Sequence, residues 1–160
     1  MNATPFGNRT AIVLLWFLVF TGVLSEVFVV PSISSGLASD FIEYSGDAAL
    51  IQALLTAIVL TGQFVFAIVA LLLGKIRRGV LLEYSSLKFV RLLTAGFVSG
   101  IVCVGALMTW LYVQNTMPPA LAMFLLVSII VGWIFALVSN SLLRVLQLAI
   151  ANRAELEGVI

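Results

Sequence analysis

Residues Leu92–Leu143 read LLTAGFVSGIVCVGALMTWLYVQNTMPPALAMFLLVSIIVGWIFALVSNSLL, 52 residues without one Asp, Glu, Lys or Arg. A single bilayer crossing takes ~20 apolar residues, so the run is too long for one. Its one interruption, Gln114-Asn115-Thr116-Met117-Pro118-Pro119, has the composition of a tight turn at a water interface. Backbone left open in lipid would strand unpaired polar groups. The stretch therefore predicts two membrane helices joined by a hairpin.

Working outward, the rest of the chain repeats that design. Four crossings are expected, at about Thr10–Val30, Ala48–Gly74, Phe89–Asn115 and Pro118–Leu146, with a short helical tail over Gln147–Ile160. Pro31 lacks an amide and stops the first helix. Asp47 offers an N-cap acceptor to the second, and Pro118-Pro119 suits the first turn of the fourth. The N-terminal stretch also imitates a signal peptide, with Arg9, an apolar run and Gly36-Leu37-Ala38 before Ser39. Its apolar run is longer than the 7–15 residues of such a core, so it reads as a membrane helix. The fold class is a single all-α membrane domain over residues 1–160, four antiparallel helices in an up-down bundle.

Composition agrees. The chain is 62% hydrophobic and 9% charged, with mean hydropathy +1.23, whereas a soluble domain is roughly 25% charged. A formal net charge of +1 gives no reason to expect nucleic acid. The absence of His removes the usual haem, zinc and copper ligands and the usual proton shuttle. Cys103 is alone, so no intrachain disulfide can form, and it reads as a small buried hydrophobe. There is no phosphate-binding glycine loop, no nucleophile with a base and no metal-ligand cluster. The chain is expected to be no enzyme and to need no cofactor.

All eight basic residues fall on one side of this topology: Arg9, then Lys75, Arg77, Arg78, Lys88 and Arg91 in the second connection, then Arg144 and Arg153. The first connection holds Asp40, Glu43 and Asp47 and no cation, and the third holds no charge. The positive-inside rule then puts both termini and the basic connection in the cytoplasm, with the cell's inner membrane as location. The five basic residues of the connection are candidate contacts for anionic inner-leaflet phospholipid headgroups.

Further candidates are few. Glu26 is the one charge inside a predicted crossing, and such groups often mark ion or proton pathways. With a helix ending before Pro31 it lies near the outer end, where a carboxylate reaches headgroups or a partner. Asp40, Glu43 and Asp47, at spacings of three and four, would share one face of a helix, beside Phe41, Ile42 and Tyr44. That loop and the apolar-ended tail, Leu156, Val159 and Ile160, are the candidate partner-binding surfaces. Gly96 and Gly100 form a small-xxx-small stripe for helix packing, and Ser139, Asn140 and Ser141 could supply hydrogen bonds between helices.

One resemblance is carried by Ile76-Arg77-Arg78-Gly79, Lys88-Phe89-Val90-Arg91, and Leu142-Leu143-Arg144 running into Glu155-Leu156-Glu157-Gly158-Val159-Ile160. These segments resemble the bacterial four-helix membrane family catalogued as domain of unknown function 2975, over most of the chain. Members carry Gly-Glu-Pro-Phe and a polar, Asn-containing helix start after the Ile-Arg pair. Here Val80-Leu81-Leu82 and Ser86 stand at those places. The resemblance implies a four-helix membrane fold and no assigned chemistry. Some members are encoded beside small helix-turn-helix regulators, which implies sensing as one role. The ending resembles that of actinobacterial members, and actinobacterial respiratory supercomplexes contain small accessory membrane subunits.

The expected function is a non-catalytic accessory or scaffolding subunit of a larger inner-membrane complex, with a respiratory complex first among them. Its partners would be other integral membrane subunits and phospholipids. A membrane sensor or anchor for a cytoplasmic regulator and a small transporter using Glu26 are the alternatives. Cysteines introduced at Ser45 and Ser85 in a Cys103→Ser background should label from opposite sides of the membrane. External labelling at Ser85 but not at Ser45 would reverse the orientation.

Overall fold

The structure, a computed structural model, describes residues 5–40, 46–115 and 117–157. Among them are four helical segments long and apolar enough to cross a membrane. Helix α1 (Pro5–Leu24) passes through a π-helical turn, Ser25–Val29, directly into α2 (Val30–Asp40). The chain does not stop at Pro31 as its sequence suggests. In an α-helix the proline ring would collide with the carbonyl four residues back. Here the turn before it is widened, with the Val30 amide bonded to the Ser25 carbonyl five residues back, which makes room for the ring. Nearby hydroxyls serve carbonyls of the same helix: Ser32 Oγ donates to Phe28 at 2.6 Å and Ser34 Oγ to Pro31 at 3.0 Å. Local repairs of this kind allow proline inside a membrane helix.

Helices α3 (Ala48–Arg77) and α4 (Tyr84–Val113) have 30 residues each. At 1.5 Å per residue each is about 45 Å long, enough to cross a ~30 Å hydrocarbon core with its interfaces. Each ends on a residue in the left-handed region. Gly79 (φ 72°) follows α3; its amide bonds the Ile76 carbonyl at 3.1 Å and the Val80 amide bonds that of Lys75 at 3.2 Å. That paired closure satisfies carbonyls the helix end would otherwise orphan. Asn115 (φ 55°) does the same after α4, its amide on the Tyr112 carbonyl at 3.1 Å. Helix α5 starts at Pro119 and runs unbroken to Glu157, 39 residues, so the expected tail is a continuation of the last span.

Asp47 precedes α3 but makes no side-chain cap. Its carboxylate instead accepts from Gln114 Nε2 at 3.0 Å, joining the start of α3 to the end of α4. That bond links residues 67 positions apart in the chain.

The helices lie in a row more than around a centre. Extensive packing joins α1 and α2 to α3, α3 to α4, and α4 to α5. The tightest region gathers Ile68 and Leu72 of α3, Val90 and Leu93 of α4, and Leu146 and Ile150 of α5. Farther along, α3, α4 and α5 part around a groove of about 260 Å³ bordered by Thr61, Gly100 and Ser128. None of the most apolar window of the first span is buried, and the corresponding shares of the α4 and α5 spans are 11%.

Apolar surface gains little by leaving lipid for protein, so close approach of backbones must hold the helices together. A Cβ added at Gly96 would stand 2.9 Å from Val65 Cγ2 and 3.2 Å from Phe64 Cδ1, and one at Gly132 would stand 2.8 Å from Ile101 Cγ1. At Gly100 the nearest atom, Thr61 Oγ1, is at an ordinary 3.7 Å. The stripe is thus unequal. Gly96→Leu should cost about 1–3 kcal/mol by overpacking. Gly100→Ala should melt within about 0.5 kcal/mol of wild type in mild detergent. Equal melting of both variants and wild type would show that the α3–α4 contact does not depend on Gly96.

Candidate functional site

The extended first helix changes the setting of Glu26. The apolar span runs from Arg9 to Gly36, so Glu26 stands ten residues from its end. That is about 15 Å along the helix axis. The expectation that the helix ends before Pro31 is corrected by its continuation to Asp40, so Glu26 lies inside a longer helix. Glu26 also lies within the π-helical turn.

Opposite this region is Gln63, near the middle of α3. Its side chain fills the space that Gly22 leaves open: a Cβ on Gly22 would meet Gln63 Cγ at 2.8 Å and Nε2 at 2.9 Å. Gly22 is one turn before Glu26 on α1, and helical side chains lean toward the start of their own helix. The Glu26 carboxyl is therefore carried back toward the level of Gly22 and Gln63. Glu26 Oε1 and Gln63 Nε2 are both buried, and neither has a hydrogen-bond partner among the described residues. An acceptor and a donor without partners among the described residues, both within apolar spans, form the candidate site. Both residues are only partly buried as a whole, so a rotation of the terminal group can present either one outward. The adjoining groove, about 600 Å³, is bordered by Val19, Thr61, Gln63 and Ser99 and opens to the surroundings.

The other candidates fall as follows. Gly96 sits at the α3–α4 crossing; Gly100 lies beside it with room to spare. Lys75, Arg77, Arg78, Lys88 and Arg91 gather at the facing ends of α3 and α4. Lys75 Nζ bonds Ser85 Oγ, lies 3.9 Å from Glu83 Oε2 and stands 5.2 Å from the Phe89 ring centre. Asp40 ends α2 and Leu156 lies in the last turn of α5. Phe41, Glu43, Tyr44, Val159 and Ile160 lie outside the described residues. Ser141 donates to the Leu137 carbonyl at 3.0 Å, within its own helix, and so does not bond to another as expected. No group of three His, Cys, Asp or Glu that could hold a metal occurs among the described residues.

Sequence reasoning overlooked Gln63 and the small-residue series Ser128, Gly132 and Ala136 on α5. The signals were present: one amide amid an apolar span, and small residues at intervals of four. No protein-family model, curated protein or solved structure matches the chain.

An unpaired buried amide costs about 1–3 kcal/mol, and an apolar group of similar shape does not carry that cost. Gln63→Met should therefore leave the purified protein at least as stable as wild type, by up to about 1 kcal/mol in a detergent melt. A clear fall in melting temperature would mean that the Gln63 amide is already bonded in the isolated chain.

Proposed function

We propose that this chain is a non-catalytic accessory subunit of a larger assembly in a bacterial inner membrane, with a respiratory complex the first to test. The observation that carries the reading is the pair of unpartnered buried polar atoms on Glu26 and Gln63, within apolar spans in an open row of helices. Lipid offers such atoms no hydrogen bond, and this chain does not wrap them in a closed polar chamber. A helix from a neighbouring subunit, bringing an Asn, Gln, Ser or Thr side chain to the α1–α3 seam, satisfies both.

In this reading the four spans run up and down with both termini cytoplasmic. Two facts support it: the one-sided Lys and Arg, and the order of neighbours along α1 and α3, where Ile12 and Trp16 share a cavity with Gly74 while Gly22 meets Gln63. The length of α5, about 58 Å, exceeds a bilayer of ~40–45 Å and carries Leu156 beyond it toward a partner. A small transporter using Glu26 is the second reading, favoured by the same unpaired carboxylate oxygen.

Copurification in mild detergent with mass spectrometry tests the choice. Glu26→Leu with Gln63→Met, deletion of residues 153–160, or joint replacement of Asp40, Phe41 and Glu43 by Ala should each lower recovery of partner subunits several-fold while the chain stays inserted. The partner's own chemistry should persist. If the pure chain in liposomes moves protons or a substrate, and Glu26→Gln abolishes the movement, the transporter reading replaces this one.

A further inference from the structure

Where α1, α3 and α4 meet near the cationic end of α3, there is a cavity of about 370 Å³. Its composition changes along α3. Ala70, Leu71 and Gly74 border one end; Lys75, Arg77 and Arg78 border the other. Ile12 and Trp16 of α1 and the Phe89 ring of α4 complete the apolar wall. Arg9, exposed on α1 three residues before Ile12, does not border the cavity.

We propose that this cavity is a binding site for one anionic glycerophospholipid. Its phosphate would be held by Arg77 and Arg78 with Lys75, and the first part of an acyl chain would lie along Trp16 and Leu71. Three observations favour an amphiphile over a free anion or an acidic protein segment. The apolar wall belongs to helices long and apolar enough to span a membrane, and a soluble anion gains nothing from such a wall. No carboxylate borders the cavity; the nearest described acid, Glu83, is 3.9 Å from Lys75 Nζ and also accepts from Ser85 Oγ at 3.0 Å. Gly74 borders open space, since a Cβ there would meet nothing within 4 Å, so a larger side chain has room to enter. The same connection holds Lys88 and Arg91, which do not border the cavity. They separate a shaped site from general attraction between cations and headgroups, which is about 1 kcal/mol per charge near an anionic surface. This site does not depend on the accessory-subunit reading.

The test uses the full chain in mild detergent, titrated with phosphatidylglycerol, phosphatidylcholine or inorganic phosphate, and read by native mass spectrometry and thermal melting. Phosphatidylglycerol should stay bound at one per chain and raise the melting temperature; phosphatidylcholine and inorganic phosphate should do neither. Arg77→Gln with Arg78→Gln should weaken phosphatidylglycerol binding about tenfold or more. Gly74→Leu, which keeps every charge and fills the space, should weaken it comparably. Leu71→Trp fills the same space from the neighbouring position and serves if Gly74→Leu melts below wild type without lipid. Lys88→Gln with Arg91→Gln should change binding less than about threefold. Equal losses from the two charge pairs with no loss on filling the cavity would reduce the effect to diffuse attraction and overturn the site. Equal stabilisation by inorganic phosphate, or binding only of an acidic protein segment, would overturn the lipid as its ligand.

Discussion

Within the spans, no water is at hand to satisfy a backbone group, and each amide and carbonyl must find its partner in the chain. That constraint explains the first helix better than any propensity does. Pro31 removes an amide, yet breaking the helix there would expose several more unpaired groups at membrane depth. A widened turn over Ser25–Val29 and the hydroxyls of Ser32 and Ser34 absorb the disturbance. Elsewhere the same demand is met by Thr21, Thr94, Thr109 and Ser128, each donating to the carbonyl four residues back in its own helix. These hydroxyls are satisfied locally and are poor candidates for joining helices.

With hydroxyls engaged locally and apolar surface indifferent to lipid, packing falls to shape. Gly22, Gly96 and Gly132 each admit a side chain of the next helix where a Cβ could not fit. Stacked rings of Phe97 and Phe135, 5.5 Å between centres, add to the α4–α5 contact. The Asp47–Gln114 bond lies at the surface, and membrane-protein polar pairs average only about 0.6 kcal/mol, so it registers the connections without holding the row together. Each contact joins neighbours in the chain, and the outcome is a row with wide lipid-facing sides.

Such a row makes a carboxylate within an apolar span hard to explain as structure. Glu26 contributes nothing to the buried apolar cluster, which lies at the other end of α3. Its buried, unpartnered oxygen costs stability, and a group retained at a cost invites a functional reading. The cationic end is different in kind. There Lys75 is already engaged with Ser85 and Phe89, while Arg77 and Arg78 remain exposed beside an apolar cavity, an arrangement suited to holding a headgroup in place.

The sequence by itself determined the number of spans, the turn at Gln114–Pro119 and the gathering of cations in one connection, because length, charge and turn chemistry are local properties. Gly79 and Asn115 follow their helices for a similarly local reason: a helix end favours a residue that tolerates positive φ. Glu26 and Gly96 were visible as residue types, but their environments were not. Whether Pro31 ends a helix depends on whether the preceding turn can widen, and that left Glu26 inside a continuous helix instead of near its end. Which glycine of a stripe is essential depends on the register of the facing helix, so Gly96 meets Val65 while Gly100 does not meet its neighbour closely. Tertiary structure alone brought Gln63 to Gly22 and Asp47 to Gln114, because such pairings arise from where one helix lies on another, and no spacing along the chain encodes that.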